Sequence, residues 1–315
     1  MLPEIDEKHP RIIALREGLA AKIPVPAENM AAREELQNLD LGEVLWAWTN
    51  WAYRGVPRRK RQVIWPADFE SRALTEPEAK AVKIICDRIE AGDDIAPFLS
   101  EKNETHGYTG SSAIGNNRPK WLDNGGDKDL ALNAYQTHHL HLGEYSPQSK
   151  YSSRTNRLLY VFFNRIEAYI VHLGNHKSFN DGTLAQAAAR LHAYRGFSLN
   201  GVVGLSHEHD ELRFKRLERA GISSTRQTDF GFSPSMILSQ GHSLVASSHA
   251  DDCWHTIAAA EQRMDSRPGL IDFFQEIGID PPKNPMNAQW GMMHCDLTIG
   301  NSETNVGKLI LPGPL

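Results

Sequence analysis

The sequence predicts an α+β protein, and three patterns support that prediction. Apolar residues recur at helical spacing in the first part of the chain, and two short apolar runs separated by a polar turn lie in its middle. The last part mixes helical and strand-like segments. The 315 residues also exceed the roughly 250–300 at which one core stops growing. We therefore predict a helical N-terminal module, a small antiparallel sheet module and an α+β extension, at residues 1–125, 126–196 and 197–315.

The N-terminal module, residues 1–125, is predicted to be mostly helical. Apolar side chains in residues 12–19 follow the helical repeat. A further helix is predicted to begin after Thr75, a suitable N-cap, and to end at Gly92, which tolerates the left-handed conformation of a helix C-terminus. Residues 102–127 are rich in Gly, Asn, Ser and Lys, a composition that predicts a connecting loop and a module boundary.

The central module, residues 126–196, contains the clearest strand signal. Residues 158–163 and 168–173 are apolar runs rich in β-branched and aromatic side chains, and four turn residues separate them. This pattern predicts a β-hairpin. Because the runs are continuously apolar rather than alternating, we expect both faces of the sheet to be covered, with a helix at residues 183–194 packed across it.

The C-terminal extension, residues 197–315, is less regular. A hairpin is predicted from residues 235–238 and 243–248. Helices are predicted at residues 210–220, 251–264 and 270–277. The sequence after Trp290 carries no structural prediction.

Composition narrows the classes of protein to be considered. The net charge is −5, so only a local basic surface could attract nucleic acid. The three cysteines are widely separated and form no C-x-x-C pair, which argues against a disulfide framework or a cysteine zinc site. Residues 1–8 are acidic, and no apolar run approaches the ~18 residues of a membrane span. We therefore predict a cytoplasmic protein with no membrane partner.

Histidines indicate where chemistry occurs, because eleven of the fourteen lie between His138 and His255. In an extended segment His139 and His141 face the same way, and His176 follows the predicted hairpin. Imidazoles placed together can act as base and acid, or can bind a metal ion. Acidic ligands at suitable spacing are lacking apart from Glu144, and no HExxH motif occurs. We therefore predict metal-free proton transfer and no cofactor.

Metal-free RNA cleavage needs a base, an acid and cations around the phosphate. His139, His141 and His176 are the candidate proton carriers, and Arg154 and Lys177 are the candidate catalytic cations. Further RNA contacts are expected from a second group of residues that can bind phosphate or stack on a base. These are Arg58, Arg59, Lys60, Arg61, Arg157 and Tyr160. A basic run such as residues 58–61 is also typical of a solvated surface.

The order of these residues resembles the core of RelE/ParE-like toxins. The resemblance rests on the H-x-x-x-G segment from His139 to Gly143, then Arg154, then residues 158–160, 169–173 and 174–179. It implies a barnase/EndoU/colicin/RelE-like domain with metal-independent ribonuclease activity. It also implies RNA as substrate, free or on the ribosome, and a toxin or phage-defence role with an antitoxin or other protein partner.

The sequence also departs from that family pattern. His141 stands where the pattern has leucine, Asn175 is inserted before the histidine, and Phe179 replaces a tyrosine. Two other hypotheses therefore stay open. One is a non-catalytic scaffold whose RelE-like sheet binds protein partners, and the other is a metal-dependent hydrolase that uses the clustered histidines.

Overall fold

A computed structural model describes residues 4–67, 69, 74–110, 128–199, 204, 210–238 and 241–315. In these ranges the chain forms ten α-helices and three small sheets, which confirms the predicted α+β class. The helices are α1 Pro10–Lys22, α2 Met30–Asn38, α3 Leu41–Ala52, α4 Glu76–Ala91, α5 Lys102–Thr105, α6 Leu130–Tyr135, α7 Thr183–Tyr194, α8 Glu211–Arg219, α9 Leu244–Met264 and α10 Arg267–Glu276. The strands are β1 Gln62–Ile64, β2 His138–His141, β3 Arg157–Phe163, β4 Glu167–Asn175, β5 Thr225–Thr228, β6 Gly231–Pro234, β7 Ala288–Met293, β8 Asp296–Asn301 and β9 Val306–Leu311.

The chain divides into two compact units, each assembled from separate segments. The first contains the described residues within Met1–Tyr53, Glu104–Pro119 and Val245–Pro314. The second contains those within Arg54–Asn103 and Lys120–Leu244, together with Leu315. The three predicted modules are contiguous in sequence, and their boundaries at residues 125 and 196 both fall inside the sequence range of the second unit. Most of the predicted loop at 102–127 lies outside the described residues.

In the first unit, helices pack with the three-stranded sheet β7–β8–β9. The Glu261 carboxylate of α9 joins three segments, because it accepts hydrogen bonds from Arg11 Nη2 at 2.7 Å and from Trp290 Nε1 at 2.7 Å. Arg11 is only 4% exposed, so this paired charge is buried. The sheet occupies the region after Trp290 for which the sequence carried no prediction.

One predicted hairpin is wrong. Residues 244–248 belong to the first turns of helix α9, and the expected strand pairing reduces to an isolated bridge between Ile237 and Ser243. Ala246 and Ala250 are buried on α9, and the apolar residues around them suit a helix face as well as a strand. The predicted helices at 210–220, 251–264 and 270–277 are confirmed as α8, the later part of α9 and α10.

The second unit is built on a four-stranded sheet of order β1–β4–β3–β2. The predicted hairpin is confirmed, since β3 and β4 pair antiparallel from Arg157 opposite Asn175 to Phe163 opposite Ala168. Strand β2 pairs antiparallel with β3. The short strand β1 was not predicted and lies parallel to β4, so the sheet is mixed rather than purely antiparallel.

Helices α6 and α7 cover one face of this sheet. Tyr160 and Tyr169 of the hairpin pack with Leu184 and Ala188 of α7 and with Tyr135 of α6 in one buried cluster. The helix predicted at 183–194 is therefore confirmed, with its apolar face against the sheet. Every residue from 158 to 163 is buried, as expected for strands covered on both faces.

None of the described helices combines the length and the apolar character needed to span a bilayer.

Candidate active site

A cavity of about 470 Å³ opens at the end of the sheet where β2 lies beside the turn that follows β4. All of its described lining residues belong to the second unit. They are Arg54, Ser100, Lys102, Lys128, Asp129, Leu130, His139, His141, Arg154, Thr155 and His176. Three imidazoles, four cationic side chains and one carboxylate therefore line a single space.

Strand β2 directs two of the three histidines into this pocket. His139 lies opposite Tyr160 of β3, and His141 lies opposite Leu158. Their ring centroids are 5.9 Å apart, as expected for alternate residues of a strand that share a face. His138 points to the other face and packs edge-on against Phe163 at 5.3 Å. The alternation of the strand therefore separates pocket histidines from a core histidine.

His176 enters the pocket from the turn after β4. Its ring centroid lies 6.3 Å from that of His139 and 5.7 Å from that of His141. Ser178 Oγ stabilises the turn by accepting a hydrogen bond from the Asn175 N–H at 3.1 Å. The three predicted proton carriers thus form a triangle with sides of about 6 Å.

Asp129 supports His139 and caps a helix at the same time. Its Oδ1 accepts the backbone N–H of Leu132 at 3.1 Å, which caps α6. Its Oδ2 lies 3.1 Å from Nδ1 of His139, so that nitrogen carries the proton and Nε2 is the ring atom left for chemistry. Burial alone would lower the pKa of His139, but the charge and hydrogen bond of Asp129 outweigh burial, and the pKa is raised.

His141 is in the opposite electrostatic situation. Arg154 Nη1 lies 2.5 Å from Nε2 of His141, and because a guanidinium always carries its protons, Nε2 is the acceptor. Burial and the positive charge of Arg154 lower the pKa of His141 to about 4. Burial, His139 and Arg154 also lower the pKa of His176. One imidazole is thus favoured as a cation and two as neutral rings, which is the arrangement that acid–base catalysis requires.

Arg154 is held in place by its neighbours on a loop that crosses close to β2. Glu101 Oε1 lies 3.1 Å from Arg154 Nη2. The preceding residue, Ser153, exchanges hydrogen bonds with Glu144 at 2.8 and 2.9 Å. A Cβ atom on Gly143 would stand 1.7 Å from the Ser153 carbonyl oxygen. The absence of a side chain at Gly143 therefore allows the close approach that brings Arg154 to His141.

Three other predicted residues lie outside this arrangement. Lys177 is exposed and is not among the described residues that line the pocket. Arg157 pairs with Glu78 at 3.3 Å. Tyr160 is only 2% exposed, and its hydroxyl donates to the Asn175 carbonyl at 2.9 Å. The prediction that Tyr160 stacks on an RNA base is therefore wrong for this structure, because the ring is part of the core.

The basic run at residues 58–61 does not form one surface. Arg58 is exposed and pairs with Asp94 at 2.9 Å, and Lys60 is also exposed. Arg59 Nη1 donates to the carbonyl of Leu315 at 2.8 Å. None of these residues is among the described lining of the pocket.

Arg61 departs furthest from the prediction. It is 4% exposed, donates from Nε to the Asn164 carbonyl at 2.6 Å, and lies 5.5 Å from the centroid of Phe163. Burial also lowers the pKa of Arg61 to about 10. The predicted RNA contact at Arg61 is therefore wrong, because this guanidinium fastens β1 to the hairpin.

Four charged residues of the pocket were not among the predicted site residues. Asp129 precedes an apolar stretch and is recognisable as an N-cap, but its spacing from His139 follows no ligand motif. Lys102 and Lys128 are unremarkable lysines in polar segments. Arg54 precedes the basic run at residues 58–61 in the sequence, and the fold separates it from that run by placing it in the pocket lining.

The described side chains of the pocket do not form a metal site. Among the described residues, no group of three His, Cys, Asp or Glu side chains is arranged to hold a metal ion. The contact from Arg154 occupies Nε2 of His141 and places a positive charge where a cation would have to bind. The geometry therefore fits an anionic ligand better than a metal ion.

Comparisons of the chain with protein-family models, with curated proteins and with solved structures found no match.

Proposed function

We propose that the chain is a metal-independent endoribonuclease that cleaves RNA by acid–base catalysis within the pocket. The observation that carries the proposal is that the three imidazoles, which share one pocket, have pKa values shifted in opposite directions. Asp129 favours the protonated form of His139, whereas burial and Arg154 favour the neutral forms of His141 and His176. An acid and a base that coexist near neutral pH, beside fixed cations, suit transfer of a phosphoryl group.

The exposure and contacts of the three histidines and Arg154 suggest a catalytic role for each. His176 is the most exposed of the three rings and takes the proton of the ribose 2′-hydroxyl. The resulting 2′-oxygen attacks phosphorus, the bond to the 5′-oxygen breaks, and His139 gives that leaving oxygen its proton. Arg154 offsets the charge of the phosphate, and His141 positions Arg154 by accepting from it. The products are a 2′,3′-cyclic phosphate and a 5′-hydroxyl.

RNA cleavage by the full chain in excess chelator tests this proposal. We expect cleavage to persist, and to fall by about 10²- to 10⁴-fold in His139→Ala and His176→Ala because each change removes one proton carrier. His255→Ala is the matched control, since His255 is exposed and lies in the first unit. A single 2′-deoxyribose at the scissile position should block cleavage, because the nucleophile is then missing.

Three outcomes would contradict the proposal. Cleavage that disappears with chelator and returns with zinc or manganese would favour the metal-dependent hydrolase. Cleavage at a 2′-deoxy position would exclude attack by the 2′-oxygen. A folded chain that lacks nuclease activity but forms a stable complex with a protein partner would favour the non-catalytic scaffold.

The proposal extends to the biological role that the RelE/ParE resemblance implies. We propose that the chain acts in the cytoplasm on RNA, free or on the ribosome, and that an antitoxin or similar partner restrains it. Expression of the chain in bacterial cells should then slow growth, and the His139→Ala variant should relieve the effect at equal protein level. If cells that express the wild type grow as fast as cells that express His139→Ala, the toxin role is contradicted. The cleavage assay would then judge the ribonuclease activity separately.

A further inference from the structure

Helix α8 presents a row of positive charges on its outward side. Arg213, Arg216 and Arg219 are exposed, and Lys215, one turn before Arg219, is half-buried. Residues three apart on a helix are neighbours on its surface, with about 5–6 Å between Cβ atoms, so the three arginines form a continuous row. We call these four residues the basic face of α8. The chain as a whole has a net charge of −5, so a surface of one positive sign is not its average character.

The carboxylates of α8 and of its N-cap do not balance the basic face. Glu218 is fully buried, and its Oε1 lies 3.1 Å from Nη2 of the buried Arg226. Glu211 pairs with Nη1 of the same guanidinium. Asp210 caps the helix by accepting the Arg213 N–H at 2.7 Å. In the part of the chain that the structure describes, no cation of the basic face has a carboxylate within salt-bridge distance.

Helix α8 packs against two segments that belong to the active site. A Cβ atom on Gly182, at the end of the turn that carries His176, would stand 2.6 Å from Cδ of Glu211 at the start of α8. Further along the helix, Glu218 accepts a hydrogen bond from the Tyr135 hydroxyl at 2.8 Å. Tyr135 ends α6, the helix whose N-cap residue lines the pocket. Helix α8 is therefore anchored to the elements that build the pocket.

Phosphates are the ligands that the basic face suits. A guanidinium binds two phosphate oxygens through its planar fork, so a row of arginines suits a chain of regularly spaced phosphates. A stable protein interface has an apolar core, whereas Leu212 is the one exposed apolar side chain among the nine residues of α8, all of which the structure describes. Charge complementarity thus favours a nucleic-acid backbone over a protein as the occupant.

We propose that the basic face of α8 is an exosite for single-stranded RNA, which binds backbone phosphates of the strand outside the pocket. The inference rests on the proposed function for the identity of the ligand. It assigns a substrate requirement: an RNA long enough to extend from the pocket to α8 binds better than a dinucleotide. That gain depends on Arg213, Arg216 and Arg219 rather than on the histidines.

Binding of uncleavable 2′-deoxy oligonucleotides to the full chain tests the exosite without requiring catalysis. At most about 20 Å of extended chain separates His176 from Gly182. A dodecanucleotide exceeds that length even at about 3.4 Å per nucleotide, whereas a dinucleotide does not. NMR-monitored titrations at several salt concentrations compare the two ligands. We expect the dodecanucleotide to bind about tenfold more tightly, or better, at low salt.

The informative variant combines Arg213→Gln, Arg216→Gln and Arg219→Gln. All three side chains are exposed, and glutamine has a helix propensity close to that of arginine, so the fold should be retained. The variant should weaken dodecanucleotide binding about 10- to 100-fold at low salt. The slope of log K against log salt should become shallower by about 2, since each of three phosphates contributes about 0.7. Dinucleotide affinity should not change.

A matched control removes the same charge at other exposed positions. It combines Lys22→Gln, Lys80→Gln and Lys308→Gln, on α1, α4 and β9. We expect this control to change dodecanucleotide affinity by about twofold or less, because charges that do not contact the strand are largely screened by salt.

A dodecanucleotide that binds the arginine variant and the control equally well would overturn the exosite. A loss that is equally large for the dinucleotide would also overturn it, since the arginines would then act within the pocket. A poly-glutamate peptide of equal charge that binds as tightly, and loses its affinity in the same variant, would overturn RNA as the occupant. Failure of the ribonuclease proposal would appear differently, as absent RNA cleavage in chelator while the gain with length persists.

Discussion

The Asp129→Asn substitution separates two roles of one side chain. Asparagine caps helices as well as aspartate does, so its oxygen can still accept from the Leu132 N–H. What disappears is the negative charge 3.1 Å from Nδ1 of His139. A hydrogen bond to a charged group contributes about 1.5–3 kcal/mol, so we expect kcat to fall roughly 10- to 100-fold with little change in KM.

The pH profile distinguishes this effect from general damage. In the wild type, we expect the proposed activity to be lost as pH rises through the raised pKa of His139, because the acid becomes neutral. Without the Asp129 charge, burial lowers that pKa, so the basic limb should move to lower pH. The acidic limb reflects the neutral base and should stay in place. Measurements of kcat/KM across the range in which imidazole titrates would show this one-sided shift.

Stability supplies an independent measure of the same pair. The pKa of His139 is raised on folding, so its contribution is complete below about pH 6.5 and is lost as pH rises through the folded pKa. The pKa of Asp129 is lowered, so its contribution is present above about pH 3.9 and is lost as pH falls through the folded pKa. Asp129→Asn should therefore destabilise most between those values.

Denaturant unfolding at about pH 5.5 and at about pH 9 checks this window. Asp129→Ala is the comparison, since it also removes the helix cap and should cost about 1 kcal/mol more at both pH values. A penalty for Asp129→Asn that is the same at both pH values, together with an unshifted activity profile, would refute the pairing. Asp129 would then be only a helix cap.

Three further predictions concern the framework of the fold. Gly143→Ala should cost about 1–3 kcal/mol and reduce cleavage, because its Cβ overlaps the Ser153 carbonyl and displaces the Arg154 loop; unfolding and RNA assays measure both. Tyr135→Phe should destabilise by about 1.5–3 kcal/mol in unfolding measurements, since the Tyr135 hydroxyl donates to the buried Glu218 carboxylate at 2.8 Å. Cys253 should resist alkylation in the native protein and react only after unfolding, as burial raises its pKa to about 12.

Matched variants control two of these predictions. Gly18→Ala lies inside α1 with open space around the added Cβ, and it should stabilise by up to about 1 kcal/mol. Tyr194→Phe removes the hydroxyl of an exposed tyrosine and should stay within about 0.5 kcal/mol of wild type. If Gly143→Ala behaves like Gly18→Ala, or Tyr135→Phe like Tyr194→Phe, the contacts described here do not determine stability.

Features encoded by neighbouring residues were predictable from the sequence. The hairpin follows from two continuous apolar runs around a polar turn. The shared direction of His139 and His141 follows from the twofold repeat of a strand. The limits of α4 follow from Thr75 and from Gly92, which adopts φ +79°.

Features that depend on contacts between distant segments were not predictable. Asp129 contacts His139 only because α6 leads directly into β2. The spacing of the two residues in the sequence matches no motif that predicts such a pair. Charge alone could not distinguish Arg54 at the pocket wall from Arg61 in the core. Strand β1 has only three residues, so its parallel pairing with β4 left no periodic signal. Tyr160 was predicted to contact RNA but is part of the core, because an aromatic side chain suits a core as well as a binding surface.

The discontinuous first unit has a consequence for the order in which the protein is made. Its helices α1 to α3 are synthesised first, whereas α9, α10 and the sheet β7–β9 follow near the end of the sequence. The pocket residues that the structure describes all lie between Arg54 and His176. A nascent chain that extends past His176, or one terminated soon after that residue, therefore carries every residue assigned to the chemistry but lacks the C-terminal part of the first unit.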